Sequence, residues 1–380
     1  MVQAVPKLRK IDADSHFFPP ADFIDLGTAL PYLSPEALQM VERDVSVFTN
    51  PNARNAGFRA TAAGQRLAGG APAAARGGPV GHGVVADRAK LLPETGFDMQ
   101  VLIPDGIYAN PFGSPLARQA EPGMTHALCR AFNVATSKAQ KEFPEQFIGT
   151  AVVPFRDVEE SCDEARYAVQ ELGLKIICIN GNWQGRNYDE IELYPFWKTV
   201  HDLGAVLYVH HNPFNCSVRD HLPSTYTLGW ERMRRLHISN YLGFAFEYMV
   251  GMASLTLGGV LEEFPNLKFV FFEAGGSWLP WAMYTLDRVY GVEPQCARCT
   301  EKPSDLIRRS CFVAAEPDEG PLAAAISSIG SENFVLGSDY PHPPSTYPNT
   351  AAGLEEMEGL SQQDKDNILG GNIQRLLGIN

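Results

Sequence analysis

The fold is decided by Ile11-Asp12-Ala13-Asp14-Ser15-His16, near the start of the sequence, and by Phe334-Val335-Leu336-Gly337-Ser338-Asp339-Tyr340-Pro341-His342, near its end. Each stretch is an apolar run that ends abruptly in acid and imidazole groups. Side chains alternate between the two faces of an extended segment, so we expect Asp14 and His16 to point to the same face. A carboxylate and an imidazole side by side at a strand's end make half of a metal site.

Short apolar runs separated by helical patterns predict eight strands: Ile11–Asp14, Met99–Pro104, Phe147–Pro154, Lys175–Ile179, Ala205–Val209, Lys268–Phe272, Cys311–Ala315 and Asn333–Gly337. Their near-continuous apolar character is typical of a parallel sheet buried on both faces. Eight strands also close a barrel, so we predict an α/β fold of the (β/α)8 TIM-barrel class. A doubly wound open sheet is the alternative, although the first strand is not followed by the Gly-rich phosphate loop of that class.

Two segments differ in character from the strands and helices. Residues 41–85 are rich in Gly, Pro and Ala and lack apolar periodicity, which predicts a long loop insertion after the first strand. Such a loop could be a lid over an active site or a flexible loop on the surface. A second long loop is expected at 214–241, after the fifth strand. Because α/β barrels often run to this length as one domain, we expect residues 1–380 to form a single barrel domain.

The composition excludes several classes of partner. A formal net charge of −13 argues against a nucleic-acid or anionic-membrane surface. No uninterrupted apolar run approaches the ~20 residues that span a bilayer. Residues 1–10 lack the apolar region of a secretion signal, and seven cysteines, an odd number in a large chain, do not suggest a disulfide framework. We therefore predict a cytoplasmic protein whose partner is a small-molecule substrate.

Four of the predicted strands end in residues that can bind a metal. Asp14 and His16 end the first strand, His210 follows the fifth, Glu273 the sixth and Asp339 the eighth. In a closed barrel these ends converge on one face, where such barrels carry their catalytic groups. Two carboxylates with two imidazoles suit Zn, Mn or Fe. A cation there would lower the pKa of bound water or polarise a substrate.

Motifs along nearly the whole chain carry a family resemblance: Ile11–His16, Phe147-Ile148-Gly149 with Val153-Pro154, Tyr208-Val209-His210, Gly259–Lys268, Gly337–His342 and Gly371–Gly378. As a set they resemble the amidohydrolase-related family, in the branch that includes aminocarboxymuconate-semialdehyde decarboxylase and the resorcylate-type decarboxylases. The resemblance implies a distorted (β/α)8 barrel, often in a dimer, with a divalent metal on its carboxyl-end face. The ligands it implies are Asp14, His16, His210 and Asp339.

One position departs from the family pattern. The sixth strand usually ends in a catalytic His, and here that position is Glu273. Glu273 could handle a proton if burial raised its pKa, could ligate a second metal or orient a neighbour, or could be structural. His211 and His342 are secondary candidates for a second metal or for support of the first.

Weaker signals concern the substrate. Arg186 and Arg219, in loops on the expected active face, could clamp an anionic substrate. Trp183 could stack on an aromatic substrate, although core packing is the more common use of a tryptophan.

These observations lead to a first hypothesis of non-oxidative decarboxylation of a small carboxylated aromatic or unsaturated molecule. Asp339 would transfer a proton to carbon as CO₂ leaves, and Glu273 is the other catalytic candidate. The same ligands would serve a hydrolase of an amide, lactone or C–C bond that uses metal-bound hydroxide. A non-haem iron oxygenase, mononuclear or diiron, is the third hypothesis, and a barrel used only for binding is the fourth.

Overall fold

The computed structural model describes residues 8–17, 84–104, 124–155, 157–183, 185–210, 238, 242–342 and 345–379. Within them, parallel strands follow one another around a single sheet in chain order. The strands are β1 Ile11–Phe17, β2 Met99–Pro104, β3 Phe147–Val152, β4 Ile176–Ile179, β5 Val206–Val209, β6 Lys268–Phe271, β7 Cys311–Ala315 and β8 Phe334–Leu336.

Helices connect these strands and follow the last one. They are α1 Val85–Leu91, α2 Met124–Glu142, α3 Val158–Gln170, α4 Tyr194–Leu203, α5 Phe244–Thr256, α6 Val260–Glu263, α7 Leu279–Val292, α8 Pro303–Ser310, α9 Leu322–Ile329, α10 Thr350–Glu356, α11 Gln362–Asp366 and α12 Asn372–Leu377. Among the described residues, none of these helices combines the length and the apolar character needed to cross a membrane.

Local sequence sets where these helices begin and end. Asp157 accepts a hydrogen bond from the backbone N–H of Glu160 at 2.9 Å and so caps the start of α3. Pro195 occupies the first turn of α4, where its missing N–H costs nothing. Gly204 ends that helix in the left-handed conformation, at φ +65°.

The sheet closes between β1 and β8. The backbone N–H of His16 donates to the carbonyl of Tyr340 at 2.7 Å, and the N–H groups of Ser338 and Asp339 donate to the carbonyl of Asp14 at 3.2 and 3.0 Å. These bonds join the two ends of the sheet into a nearly closed barrel. The structure confirms the barrel prediction, and the consecutive strand order is not that of the doubly wound alternative.

Alternate strand residues face opposite sides of the sheet. Ile177, Leu207 and Phe271 pack in the cluster that also contains side chains of α3, α4, α5 and α7. Their chain neighbours Cys178 and Tyr208 pack in a second cluster with residues of other strands, such as Val270 and Val335, and this cluster also contains residues of α1, α2 and α12. On β4 and β5, the side chains of this cluster face the barrel interior. The inward phase on β5 therefore continues from Tyr208 to His210, at the carboxyl end of the barrel.

One helix differs from the sequence pattern. Residues 244–264 read as a continuous helix, but the structure divides them into α5 and α6. Gly259 has a left-handed φ of +84°, and a Cβ on Gly258 would lie 2.1 Å from the carbonyl oxygen of Ser254. The two glycines allow a turn between the helices that other residues would resist. The apolar periodicity on either side hides this break in the sequence.

Two predicted segments fall mostly outside the described residues. The insertion at 41–85 is described only at Val84 and Val85, and the loop at 214–241 only at Ile238. The single domain over residues 1–380 stays a prediction.

A buried ion pair holds α2 and α3 together. Glu164 on α3 is 0% exposed and accepts from Arg130 Nε at 2.9 Å and from the side-chain amide of Asn133 at 2.8 Å, while His126 Nε2 lies 2.8 Å away. The Asn133 side chain also bonds both backbone groups of Val152, at the end of β3. This carboxylate therefore ties two helices to the barrel wall.

We expect Glu164→Ala to lower the free energy of unfolding by ~3–5 kcal/mol, because it removes the buried carboxylate with which Arg130 forms its ion pair. Urea unfolding followed by circular dichroism measures the loss. Glu171→Ala, an exposed acid just past the same helix, is the control and should change stability by less than ~0.5 kcal/mol. Equal stability of the two variants would contradict this role for Glu164.

Candidate metal centre

Three buried side chains meet at the carboxyl end of the barrel. Asp14, His16 and His210 are 2%, 1% and 8% exposed, and their ligand atoms lie within 4.8 Å of one another. Asp14 Oδ1 is 3.7 Å from His16 Nε2 and 3.8 Å from His210 Nε2. Asp14 and His16 thus do converge, as strand alternation predicts. We call these three residues the inner set.

A second set overlaps the first. It consists of His16, Glu273, Asp339 and His342, whose ligand atoms also lie within 4.8 Å of one another. Asp339 Oδ1 is 3.1 Å from His16 Nε2 and 3.0 Å from His342 Nδ1. Glu273 Oε1 is 3.5 Å from His210 Nε2 and 3.8 Å from His16 Nε2. Asp339 is thus grouped with Glu273 and His342, and it meets the inner set through His16.

Both acids of the second set have unusual backbone conformations. Glu273 has φ +59° and Asp339 has φ +53°, in the left-handed region that residues other than Gly rarely adopt. Each such conformation costs about 1–3 kcal/mol and persists only where the surroundings enforce it. At the ends of β6 and β8 this turn changes the direction of the chain and brings both carboxylates to the inner set.

The first strand is fixed from both sides. The Asp12 carboxylate accepts from Gln100 Nε2 at 2.9 Å and from Ser338 Oγ at 2.7 Å, so it ties β1 to β2 and to the segment after β8. A register shift in the β1–β2 pairing lies between Asp12 and Ser15. Gly337 leaves room for Asp14, because a Cβ at position 337 would lie 2.6 Å from the Asp14 Cβ.

Arg88 is a positioning residue that sequence reasoning missed. It is 1% exposed, donates to the carbonyl of His16 and to Ser15 Oγ at 2.7 Å each, and lies over the Tyr340 ring at 5.1 Å. A cation thus supports the end of β1 directly behind His16. The sequence did contain a signal for this residue. Arg88 is spaced from Val85 and Ala89 as residues on one buried face of a helix are.

The loop after β6 is also held in place. The Glu319 carboxylate accepts from the backbone N–H of Gly276 at 3.0 Å and of Ser277 at 2.6 Å. Gly275 is left-handed at φ +63°, and a Cβ there would lie 2.8 Å from Glu319 Oε1. The loop that begins at Glu273 is therefore clamped by an acid from the segment after β7.

Glu316 is a further residue that sequence reasoning did not single out. It follows β7 directly, and burial, together with nearby Glu319, Asp318 and Asp339, raises the pKa of Glu316 to about 7. The sequence signal was an acid directly after a predicted strand, the same signal that marks Glu273.

The protonation states of the inner set follow from burial and neighbours. Burial raises the pKa of Asp14 well above its usual range, and burial lowers the pKa of His210. Burial and His342 lower the pKa of His16, but Asp339, Glu273 and Asp14 outweigh them and raise it to about 10. A metal must therefore displace a proton from His16 before it can bind there.

Glu273 behaves differently from a buried acid on its own. Burial raises the pKa of Glu273, yet the imidazoles of His210, His16 and His342 outweigh burial and hold it well below its usual range. Proton handling by Glu273 would need a raised pKa, so the direction of this shift does not favour that role, which stays a prediction. Glu273 is an ionised carboxylate that faces three imidazoles.

Two of the remaining predicted residues, Trp183 and Arg186, make other contacts in the structure. Trp183 is 0% exposed and packs against Phe155 at 3.9 Å between ring centroids. Arg186 is half-exposed, 3.5 Å from Glu190. Substrate contacts for Trp183 and Arg186 stay predictions. His211 and Arg219 lie outside the described residues.

The inner set has the chemistry of a metal site. Asp14 Oδ1, His16 Nε2 and His210 Nε2 are buried without a hydrogen-bond partner among the described residues. Buried polar atoms rarely lack a hydrogen-bond partner, and three such atoms that face one another indicate a binding site for an ion. Two imidazoles and one carboxylate suit Fe, Mn or Zn. The residues therefore fit a divalent cation.

Two decarboxylases are similar in sequence to this chain over much of its length. 2-Amino-3-carboxymuconate-6-semialdehyde decarboxylase of Dictyostelium discoideum is 29% identical over 68% of this chain and 69% of its own length. Gamma-resorcylate decarboxylase of a Polaromonas species is 24% identical over 77% of this chain and 87% of its own.

A solved structure shows the same fold. 5-Carboxyvanillate decarboxylase of Novosphingobium aromaticivorans, complexed with manganese and 4-hydroxy-3-methoxy-5-nitrobenzoic acid, superposes with a TM-score of 0.68 at 20% identity, over 98% of this chain and 96% of its own. The family model described as "Amidohydrolase" matches residues 11–379. The resemblance seen in the sequence is confirmed, and the chain belongs to the amidohydrolase family.

Proposed function

We propose that this chain catalyses the metal-dependent, non-oxidative decarboxylation of a small aromatic or unsaturated carboxylate. The observation that carries the proposal is the convergence of the inner set, with its unpartnered buried atoms, beside the carboxylates of Asp339 and Glu273. The relatives described above as decarboxylases support the choice of reaction.

The metal would be held by Asp14, His16 and His210, with Asp339 close enough to contribute through the oxygen that faces His16. When bound, a divalent ion supplies a Lewis acid that holds and polarises the substrate carboxylate or a neighbouring hydroxyl. Manganese is favoured by the solved relative, which contains it. The Glu273 carboxylate lies 3.5 Å from His210 Nε2 and 3.8 Å from His16 Nε2, so it would face the ion from the end of β6.

Asp339 would move the proton that the reaction needs. Cleavage of the bond to the carboxylate leaves its electron pair on the substrate carbon as CO₂ departs, and that carbon must then accept a proton. The Asp339 side chain is 23% exposed, at the entrance of the site, whereas that of Asp14 is 3% exposed. His342 touches Asp339 at 3.0 Å and is 35% exposed, so it can return a proton from solvent to Asp339.

The alternatives differ in products rather than in ligands. Hydrolysis would give no CO₂, and an oxygenase would consume O₂.

The dimer and the cytoplasmic location also remain proposals. An exposed apolar face on α7, with Trp281 60% and Tyr284 63% exposed, supports association of two copies.

We expect the manganese-loaded protein to release CO₂ from a hydroxylated or amino-substituted aromatic or muconate-type carboxylate, without O₂ and, in D₂O, with one deuterium on the vacated carbon. Asp339→Asn should lower kcat by ~10²-fold or more while the circular dichroism spectrum is unchanged, because loss of a general acid costs about that much. Asp318→Asn, an exposed acid after β7, is the control and should keep wild-type kcat.

Three results would count against this account. Near-wild-type turnover in Asp339→Asn would remove that residue from proton transfer. A strict need for O₂ would favour the oxygenase, and turnover of an ester or amide without CO₂ would favour the hydrolase.

We also expect Gly337→Ala to weaken metal binding by about 10-fold or more. The new Cβ would lie 2.6 Å from the Asp14 Cβ, so Asp14 must move away from His16 and His210. Isothermal titration of the metal-free protein with Mn²⁺ measures the change. Gly291→Ala, where a Cβ meets nothing within 4 Å, is the control, and equal affinity in both variants would contradict this role for Gly337.

A further inference from the structure

We propose that the hydroxyl of Tyr208 positions Asp14 for metal binding, by donating a hydrogen bond to the carboxylate oxygen of Asp14 that does not face the ion. The inference rests on the proposed function only in placing a divalent ion at the inner set. Tyr208 is then a positioning residue, because it acts through Asp14 and touches neither the ion nor the substrate. Carboxylates that bind a metal are commonly held by hydrogen bonds from such neighbours.

Tyr208 lies in the barrel interior, one layer below a residue of the inner set. It precedes His210 by two positions, so both side chains leave β5 on the same face, about 6–7 Å apart along the strand. The His210 side chain reaches Asp14 on β1, where its Nε2 lies 3.8 Å from Oδ1. The side chain of Tyr208 therefore enters the interior directly below the contact between His210 and Asp14.

The Tyr208 hydroxyl is a buried donor that lacks an acceptor. The residue is 0% exposed, and its oxygen has no hydrogen-bond partner in the part of the chain that the structure describes. Its ring packs against Phe272 at 4.6 Å between ring centroids, which fixes where the hydroxyl lies. A buried hydroxyl without a partner is costly, so an acceptor is expected close to this position.

Asp14 offers the matching acceptor. Among the described residues, no donor bonds either oxygen of its carboxylate. Burial and the nearby Cys178 raise the pKa of Tyr208 well above its usual range, and so do the two acids of β1, which lie close enough to act on the hydroxyl. The other of these acids, Asp12, already accepts from the backbone N–H and the Oγ of Ser338 at 2.9 and 2.7 Å. Asp14 is therefore the acid that still needs a donor.

Ion binding would complete this pair. When Oδ1 of Asp14 faces an ion at the mouth of the barrel, its second oxygen turns back toward the interior, where the Tyr208 hydroxyl lies. A hydroxyl bonds an ionised carboxylate roughly twice as strongly as it bonds a neutral acceptor. The bond would keep Oδ1 directed at the position that His16 and His210 also face, and so would raise the affinity for the ion.

Gln100 is the competing acceptor. Its Oε1 is also buried without a partner among the described residues, while its Nε2 donates to Asp12 at 2.9 Å. A bond from Tyr208 to this amide would stabilise the barrel interior and leave the ion unaffected. The two acceptors thus predict different results when the hydroxyl is removed. Asp14 is favoured because its ionised form is the stronger acceptor.

The test is Tyr208→Phe, which removes one oxygen and keeps the ring. Isothermal titration of the metal-free full chain with Mn²⁺ measures affinity, and urea unfolding of the metal-free chain measures stability. We expect the affinity to fall about 10-fold or more, the usual cost of losing a hydrogen bond to a metal ligand. The urea midpoint should be unchanged or higher, because the substitution removes an unpaired buried hydroxyl.

Tyr188→Phe is the matched control. Tyr188 is also 0% exposed, but it packs on the helix side of the sheet and its hydroxyl donates to the carbonyl of Asn180. Its loss leaves that buried carbonyl without a donor, so the urea midpoint should fall. The Mn²⁺ affinity should equal that of wild type.

The outcomes separate this inference from the proposed function. An affinity loss in Tyr208→Phe no larger than that in Tyr188→Phe would overturn the inference, and a lower urea midpoint with unchanged affinity would assign the hydroxyl to Gln100 instead. Wild type that binds no Mn²⁺ would overturn it together with the metal site. Neither measurement involves turnover. The expected affinity loss in a protein that releases no CO₂ would therefore support the role of Tyr208 and contradict the proposed reaction.

Discussion

Closure of the barrel between its first and last strands brings the functional groups together. The Asp14 carbonyl accepts the backbone N–H groups of Ser338 and Asp339, so one oxygen joins the two strand ends that carry most of the site. The same closure places Gly337 against Asp14 and lets the Asp12 carboxylate bond Ser338. If these bonds were lost, Asp339 would have no fixed relation to Asp14 and His16. The metal centre therefore depends on the closure of the barrel.

Closure of the barrel brings acidic and imidazole side chains close together, so their charges must be balanced by neighbouring groups. Without partners of opposite charge, buried acids and imidazoles would destabilise the folded protein or lose their charges. In this chain the pKa of His16 rises and that of Glu273 falls, since each is paired with groups of opposite charge. A cation that replaces these protons takes over the same electrostatic role. Arg88, behind His16, and Glu319, behind the loop of Glu273, fix the backbone that carries the ligands.

Much of this site could be predicted from the sequence, because the carboxyl ends of parallel strands must meet on one face. That rule was enough to bring Asp14, His16, His210, Glu273 and Asp339 together. It could not show that the carboxylates of Glu273 and Asp339 turn back toward the inner set, since that depends on left-handed backbone at both residues. Arg88 was missed because its partners Ser15 and His16 are 73 and 72 positions away in the chain. The break after α5 was missed because apolar periodicity continues across Gly258 and Gly259.

The central claim is that the inner set holds a divalent metal at the mouth of the barrel. Anomalous diffraction at the manganese edge, from crystals of the manganese-loaded protein, tests it most directly. The account predicts a strong peak roughly 2.0–2.3 Å from Asp14 Oδ1, His16 Nε2 and His210 Nε2. A saturated crystal with its peak elsewhere, or with no peak among these three atoms, would contradict it.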